Sequence, residues 1–137
     1  MNILFLCVGN SARSQIAEGL AKSMLPNSFD IRSAGSDPAQ RVHKDAITTM
    51  KDFGIDISSN KTKSIKQMDE KFISNLDYVI TLCADEVCPV VPTATRIIHW
   101  PNEDPDNDIY NHLQSKNAFN KTRDNIFALL KKFMIDN

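Results

Sequence analysis

Three residues near the start of the chain, Cys7, Arg13 and Ser14, form the pattern Cys-x5-Arg-Ser and could act together on an oxyanion. A loop that runs into a helix points successive backbone N–H groups and the helix N-terminus at one place, which favours an anion there. The same groups favour the thiolate of Cys7, the nucleophilic form of cysteine. Arg13 can hold two oxygens of a tetrahedral anion, and the Ser14 hydroxyl can donate to the thiolate. The expected anion site comprises Val8, Gly9, Asn10, Ser11, Ala12, Arg13 and Ser14.

Two further cysteines, Cys83 and Cys88, and an acidic loop at Asp104 are the other candidates for chemistry. An odd number of cysteines disfavours a framework of permanent disulfides and leaves reactive thiols or a metal site as alternatives. None of the three histidines stands at zinc-ligand spacing from the cysteine pair, so we expect no zinc site. Calcium is disfavoured because Pro105 interrupts the acidic loop. Each candidate also has a plain structural interpretation, as a packed thiol or a solvated side chain.

Local sequence patterns predict the elements that must position these residues. A strand at Ile3–Leu6 precedes the Cys7 loop, and a helix that follows from Ser14 ends at Pro26. Further strands are predicted at Phe29–Ser33, Tyr78–Leu82 and Arg96–Trp100, and further helices around Ala46–Phe53, Lys66–Asn75 and Phe119–Phe133. The order β-α-β-α-α-β-β-α predicts one three-layer α/β domain over residues 1–137 with a mostly parallel sheet. Cys7 and Cys83 then lie at the carboxyl ends of strands, where ligands bind in such sheets.

Size and charge narrow the function classes. The chain has 137 residues and a formal net charge of −1, so it lacks the basic surplus that a nucleic-acid or anionic membrane surface needs. The longest apolar run, Ile3–Val8, is too short for a signal sequence or a membrane span. We therefore expect a monomeric cytoplasmic protein that binds neither nucleic acid nor membrane and holds any anion by local contacts.

The stretch Cys7–Ser14, with Gln15-Ile16-Ala17-Glu18 after it, resembles the low-molecular-weight tyrosine phosphatase superfamily and its arsenate reductase branch. Other landmarks of that branch follow in the same order, namely Arg32-Ser33-Ala34-Gly35, Gly54-Ile55-Asp56-Ile57-Ser58, Val79-Ile80-Thr81-Leu82-Cys83, Cys88-Pro89, and His99-Trp100 through Asp104-Pro105. The resemblance covers nearly the whole chain. It implies a four-stranded parallel sheet flanked by helices, and it assigns Asp104 as the general acid that protonates the leaving oxygen.

For function, the resemblance implies reduction of arsenate to arsenite, in arsenic detoxification, without a cofactor. Cys7 would be the nucleophile, Cys83 the first resolving thiol and Cys88 the second, with thioredoxin or glutaredoxin as reductant. Phosphate and sulfate would bind as analogues of arsenate. The chain departs from the branch in two ways: Cys88 follows Cys83 more closely than expected, and Ala12 stands where many relatives have another cysteine.

Two other functions stay open on the sequence alone. A low-molecular-weight phosphatase would hydrolyse phosphotyrosine or small aryl phosphates through a phosphocysteine at Cys7, and a reductase could retain some of this activity. Such a phosphatase would have no use for Cys83 or Cys88, because water resolves its intermediate. A non-catalytic module could instead bind an oxyanion or arsenite with the same thiols. Arsenate turnover with thioredoxin, its reductase and NADPH distinguishes the three.

The residues behind the anion loop raise a separate question of cation binding. Some reductases of the branch that this chain resembles bind potassium there through an Asn, a Glu, a Ser and an Asp. This chain has Asn10, Glu18 and Ser33 at the first three positions but Lys63 at the fourth. The resemblance therefore suggests that the Lys63 ammonium pairs with Glu18 and replaces the cation, so that no metal is expected. A solvated Lys63 in a polar loop is the alternative.

Overall fold

The computed structural model describes residues 1–84 and 96–136 of the chain. The strands in these ranges are β1 (Asn2–Cys7), β2 (Asp30–Gly35), β3 (Tyr78–Thr81) and β4 (Arg96–His99). The helices are α1 (Arg13–Met24), α2 (Lys44–Asp52), α3 (Glu70–Ser74) and α4 (His112–Asp136), and a short 3-10 helix covers Ile65–Gln67. The elements follow the predicted order, and no helix within these ranges has the length and apolar content of a membrane span.

The strands form one sheet in the order β2-β1-β3-β4, in which all neighbours are parallel. β1 lies inside the sheet, and its residues Ile3–Leu6 are fully buried, as is usual for a parallel strand covered on both faces. The register pairs Cys7 with Gly35 of β2 and Leu6 with Thr81 of β3, so the carboxyl ends of three strands meet at one edge. The predicted four-stranded parallel sheet is confirmed.

Helices cover the sheet on both faces. On one face, α1, α2 and α4 enclose the larger core, which includes Leu20 of α1, Met50 of α2 and Phe119 of α4. On the other face, α3 contributes Phe72 to a smaller core that also contains Leu4. Each large side chain buried in this way stabilises the fold by about 1.5–3 kcal/mol. The predicted three-layer arrangement is confirmed, and it fixes the sheet edge that carries Cys7.

Two helix boundaries differ from the prediction. The stretch Lys66–Asn75, predicted as one helix, is divided between the 3-10 helix and α3. Ser64 caps the first piece through a capping box and Asp69 caps the second, so each helix has its own start. α4 begins at His112, well before the first apolar marker Phe119, because its first turns are mostly exposed and carry no apolar periodicity.

Candidate active site

Cys7 occupies the predicted place at the carboxyl end of β1. It is a free thiol that is only 2% exposed, and the loop of residues 8–12 (the anion loop) leads from it directly to α1. Within this loop Asn10 has a φ of 50°, a left-handed conformation that asparagine tolerates better than most residues. The strand, loop and helix thus follow each other as the sequence pattern predicts.

The segment of residues 37–43 covers the outer side of the anion loop. Its backbone N–H groups donate to loop carbonyls in three pairs: Asp37 to Val8 (3.0 Å), Ala39 to Gly9 (2.8 Å) and His43 to Ser11 (2.9 Å). In a trans peptide the N–H points opposite to the preceding carbonyl. The N–H groups that follow these carbonyls, those of Gly9, Asn10 and Ala12, therefore point away from the segment. Successive N–H groups on one side of a loop are what an oxyanion site requires.

Gly35 of β2 allows the close approach of the anion loop to the sheet. A Cβ atom built on this residue would lie 2.3 Å from the carbonyl oxygen of Val8 and 3.0 Å from the backbone nitrogen of Asn10. The first distance is shorter than real Cβ contacts, and the second is tighter than most of them. Only glycine therefore fits opposite Cys7 while the loop keeps this shape.

The side chain of Asn10 fixes the direction of the hydrogen bonds behind the loop. Its Oδ1 accepts from the backbone N–H of Lys63 (2.9 Å), which sets the orientation of the amide group. The amide Nδ2 then donates to Ser14 Oγ (2.8 Å) and to Ser33 Oγ (3.0 Å). Both hydroxyl oxygens accept a hydrogen bond from Asn10, so each hydroxyl keeps its own proton to donate elsewhere.

The Ser14 hydroxyl directs that proton to Cys7. Its Oγ lies 2.8 Å from Cys7 Sγ, and Ser33 Oγ correspondingly donates to Glu18 Oε1 (2.8 Å). A hydroxyl that donates to sulfur stabilises the thiolate, since a thiolate can only accept. The structure therefore places a hydrogen-bond donor at the Cys7 sulfur, and a reactive Cys7 stays a prediction.

Gln15 is a supporting residue that the sequence analysis missed. It is fully buried, and its Nε2 donates to Asn10 Oδ1 and to the carbonyl of Lys61, each at a distance of 3.1 Å. Its Oε1 accepts from Asn60 Nδ2, also at 3.1 Å. These contacts tie the anion loop to a segment 45 residues away in sequence, so no local pattern could have indicated them.

Arg13 joins the anion loop to the segments after β3 and β4. Its guanidinium is 3% exposed, and Nη1 donates to the carbonyls of Asn102 (2.9 Å) and Leu82 (3.4 Å). Nη2 lies 3.7 Å from Asp104 Oδ2. Leu82 immediately precedes Cys83, so this arginine of the first turn of α1 contacts the predicted acid and the backbone next to the second predicted thiol.

Asp104 stands on a mostly exposed loop after β4, residues 101–111, which we call the acid loop. Half of its side chain is exposed, and its Oδ1 accepts the backbone N–H of Asp106 at 3.0 Å. The loop is anchored at its start, where the backbone N–H of Asn102 donates to the Leu82 carbonyl (3.1 Å). The loop is held further by Pro105, which is buried. Asp104 is thus held beside Arg13 while its carboxyl remains open to solvent.

The two other cysteines differ in what the structure describes. Cys83 is fully buried and disulfide-bonded, whereas Cys7 is free, so the two do not form a disulfide with each other here. Cys88 lies outside the described residues, and its role stays a prediction. The site residues that the structure does bring together are Cys7, Arg13, Ser14 and Asp104, with Cys83 next to a residue that Arg13 contacts.

Behind the loop, Glu18 has the lysine partner that the sequence predicts and a second one. Its side chain is 5% exposed, with Lys63 Nζ at 3.8 Å from Oε1 and Lys22 Nζ at 3.1 Å from Oε2. Lys63 Nζ also donates to the carbonyl of Lys61 (3.2 Å). Burial lowers the pKa of the Lys63 ammonium below its ordinary value of 10.5, and the attraction of Glu18 offsets this only in part. Lys22 was overlooked, although its i,i+4 spacing from Glu18 on α1 signals the pair.

The histidines take positions that fit structural roles. His43 caps the N-terminus of α2, where its Nδ1 accepts the backbone N–H of Asp45. His99 contacts the Thr81 hydroxyl through Nδ1, and Trp100 is buried in the larger core. Within residues 1–84 and 96–136, the potential metal-ligating side chains form no cluster of three or more.

Comparison with known proteins adds to this geometry. The sequence model of the low molecular weight phosphotyrosine protein phosphatase family matches residues 2–136. An arsenate reductase of Brevibacillus brevis is 40% identical over 133 residues, which are 96% of this chain and 92% of that protein. A solved arsenate reductase in the phosphate binding state superposes with a TM-score of 0.82 at 31% identity, over 98% of this chain and 97% of that one. The thioredoxin-dependent arsenate reductase of Corynebacterium glutamicum superposes with a TM-score of 0.70 at 29% identity, over 99% of this chain and 63% of that one.

Proposed function

This chain belongs to the low molecular weight phosphotyrosine protein phosphatase family, and within that family we propose that it is an arsenate reductase that takes its electrons from thioredoxin. The observation that carries the proposal is the free Cys7 thiol where the anion loop begins, whose sulfur lies 2.8 Å from the Ser14 hydroxyl, while the adjacent Arg13 lies 3.7 Å from Asp104. The names of the relatives and of the superposed structures support arsenate as the substrate. Phosphate and sulfate would compete for the same site.

In the first step, the Cys7 thiolate attacks the arsenic atom of arsenate held by the anion loop and Arg13. A sulfur–arsenic bond forms while one arsenic–oxygen bond breaks. Asp104 donates a proton to the departing oxygen, which leaves as water. The oxidation state of arsenic does not change in this step, and Cys7, the anion loop with Arg13, and Asp104 supply the nucleophile, the anion contacts and the proton.

In the second step, the thiolate of Cys83 attacks Cys7 Sγ. The sulfur–arsenic bond breaks, its electron pair stays on arsenic, and arsenite leaves while a Cys7–Cys83 disulfide forms. Cys88 then attacks Cys83, frees Cys7 and presents the disulfide to thioredoxin, whose dithiol supplies the two electrons. A disulfide-bonded Cys83 together with a free Cys7 fits a relay that moves the oxidised state away from the nucleophile.

The setting of this activity is part of the same proposal. Reduction to arsenite serves arsenic detoxification in the cytoplasm, in a monomer whose residues 1–137 form one domain. Neither nucleic acid nor a membrane takes part, and the only partners are the oxyanion and its protein reductant. The chemistry needs no bound metal or organic cofactor, because thiols carry the electrons.

A coupled assay tests the proposed function. Purified protein is mixed with arsenate, thioredoxin, thioredoxin reductase and NADPH, and arsenite and NADPH oxidation are measured together. We expect about one arsenite for each NADPH consumed and no turnover by Cys7→Ser. Replacing thioredoxin with the glutaredoxin system identifies the reductant. Hydrolysis of aryl phosphates without arsenate-dependent NADPH oxidation would identify a phosphatase instead, and binding of the anion without either reaction would identify a binding module.

A further inference from the structure

The predicted acid, Asp104, needs an anchor beyond its contact with Arg13. Half of the Asp104 side chain is exposed, and the Arg13 guanidinium that lies 3.7 Å away also donates to two carbonyl groups. A general acid is effective only when its proton is held within reach of the leaving oxygen. A further contact between the acid loop and the segment that covers the anion loop would restrict the position of Asp104 more closely.

Asp106 provides a link in both directions. Its backbone N–H donates to Asp104 Oδ1 over 3.0 Å, so the position of Asp106 determines where the Asp104 carboxyl lies. Its own Oδ1 lies 3.4 Å from Nε2 of His43. His43 belongs to the segment of residues 37–43 that covers the anion loop.

Three contacts hold His43 in place, two through its ring and one through its backbone. Its Nδ1 accepts the backbone N–H of Asp45 (3.0 Å), so in the neutral ring Nε2 carries the proton and faces the Asp106 carboxylate. The ring lies against the fully buried Phe119, with 4.6 Å between ring centroids. The backbone N–H of His43 donates to the carbonyl of Ser11 in the anion loop (2.9 Å).

We propose that His43 is a positioning residue for the general acid. It holds Asp106, and through Asp106 the Asp104 carboxyl, at a fixed distance from the loop that binds the anion. His43 thereby contacts the anion loop through its backbone and the acid loop through its side chain. The inference rests on the proposed function, because it requires Asp104 to donate a proton during the reaction.

Two variants break this contact in different ways, and a third controls for charge. His43→Asn keeps a side-chain acceptor for the N–H of Asp45 but is too short to reach Asp106, so it spares the helix cap. Asp106→Ala removes the carboxylate and leaves the backbone N–H that donates to Asp104. Asp108→Asn removes a negative charge from the same exposed loop without touching the His43–Asp106 contact.

Single-turnover arsenite formation by the reduced protein measures the step that uses the acid. We expect the maximal rate to fall about 10-fold in His43→Asn and in Asp106→Ala, part of the about 100- to 10,000-fold that general acid catalysis contributes. The half-saturating arsenate concentration should stay within about twofold, because the anion contacts are unchanged. Asp108→Asn should retain the wild-type rate.

Introducing His43→Asn into an Asp104→Asn background separates positioning of the acid from a general structural effect. If His43 acts only through Asp104, adding His43→Asn to that variant should cause no further loss. The proposal is overturned by a wild-type rate in His43→Asn, by an equal loss in Asp108→Asn, or by the same 10-fold loss in the Asp104→Asn background.

Amide hydrogen exchange of the full-length protein gives a readout that does not depend on turnover. We expect the Asp106 amide to exchange about 10-fold faster in His43→Asn, with the amides of β1 unchanged. Unchanged exchange at Asp106 would overturn the proposal even if the wild-type protein failed to reduce arsenate. Failure of the wild-type protein in the coupled assay, with faster exchange in the variant, would instead overturn the proposed function alone.

Discussion

At the scale of single residues, the direction of the hydrogen bonds determines which form of Cys7 the site stabilises. Because Asn10 donates to both Ser14 and Ser33, neither hydroxyl can donate back to it. The Ser14 proton is left for Cys7, and the Ser33 proton is left for Glu18. One asparagine amide thus orients the two hydroxyl donors, and one of them donates to the Cys7 sulfur.

Removing the Ser14 hydroxyl tests this direction. In Ser14→Ala the thiolate loses a hydrogen bond to a charged group, a loss of about 1.5–3 kcal/mol. We expect alkylation of Cys7 by iodoacetamide at neutral pH to slow by at least about 10-fold. Mass spectrometry of the Cys7 peptide measures the rate of alkylation. Ser23→Ala is a matched control, since Ser23 donates to Leu20 within the same helix and away from the site. An unchanged alkylation rate in Ser14→Ala would contradict the assigned donor.

Lys63 is expected to make a cation behind the loop unnecessary. Its ammonium lies 3.8 Å from Glu18 Oε1, so the wild-type melting temperature should be the same in sodium and potassium chloride at equal ionic strength. Lys63→Asp replaces the positive charge with a carboxylate near Glu18, Asn10 and Ser33, and should gain a potassium-specific rise of about 2–4 °C. Lys61→Asp makes the same charge change two residues away and should show no potassium-specific rise in melting temperature. A potassium-specific rise in the wild-type protein would disprove the replacement.

The lowered pKa of Lys63 also predicts how stability depends on pH. Between its folded pKa and the ordinary value of 10.5, the unfolded chain binds more protons at this residue than the folded chain does. The free energy of unfolding contributed by Lys63 must therefore rise with pH in that window. Denaturant unfolding of the wild type and of Lys63→Met, followed from neutral pH to pH 10.5, should show the wild type gaining stability relative to the variant. A relative loss of stability would mean that the attraction of Glu18 raises the pKa of Lys63 more than burial lowers it.

At the scale of elements, the site depends on how β1, β2 and the segment of residues 37–43 enclose the anion loop. The segment donates to three carbonyls of the loop, and the end of β2 lies so close that its last residue can have no side chain. The loop shape is therefore imposed from two sides rather than by its own sequence alone.

Gly35→Ala should disturb the loop directly. The added Cβ would lie 2.3 Å from the Val8 carbonyl oxygen, which is backbone and cannot rotate away. We expect a loss of at least about 1–3 kcal/mol in the free energy of unfolding, as for other overpacked sites, together with loss of phosphate protection of Cys7 against alkylation. In Gly9→Ala the nearest atom to the new Cβ is 3.4 Å away, so its unfolding free energy should change much less. Equal stability of the two variants would contradict the close approach.

The parts of the fold that local patterns determine were predictable, and those set by distant contacts were not. The apolar run Ile3–Leu6 and the alternation of strands with helices indicate the sheet and its order, because burial on both faces leaves a continuous apolar signal. The placement of Cys7 and Arg13 at the two ends of a loop between a strand and a helix is likewise predictable from the local pattern. Gln15 could not be recognised, since its partners Asn60 and Lys61 lie far along the chain. The contact of His43 with Asp106 likewise joins segments that no periodicity relates.

At the scale of the whole molecule, Arg13 connects segments that the sequence keeps far apart. Its contact with Asn102 spans 89 residues and its contact with Leu82 spans 69. The proposed nucleophile, the proposed acid and the proposed first resolving thiol thus belong to three segments that meet at one edge of the sheet. The proposed relay requires this convergence, because each thiol must reach the sulfur before it.

The order of the thiols can be tested one cysteine at a time. Cys88→Ser should release about one arsenite per molecule and then stop as a Cys7–Cys83 disulfide, because no thiol remains to free Cys7. Cys83→Ser should stop earlier, with arsenic still on Cys7 and no arsenite released unless a small thiol is added. Quenched-flow arsenite measurement, with mass spectrometry of the trapped protein, distinguishes the two arrested states. Sustained turnover of Cys88→Ser with thioredoxin would remove Cys88 from the relay, and release of arsenite by Cys83→Ser without added thiol would show that Cys88 can attack Cys7 directly.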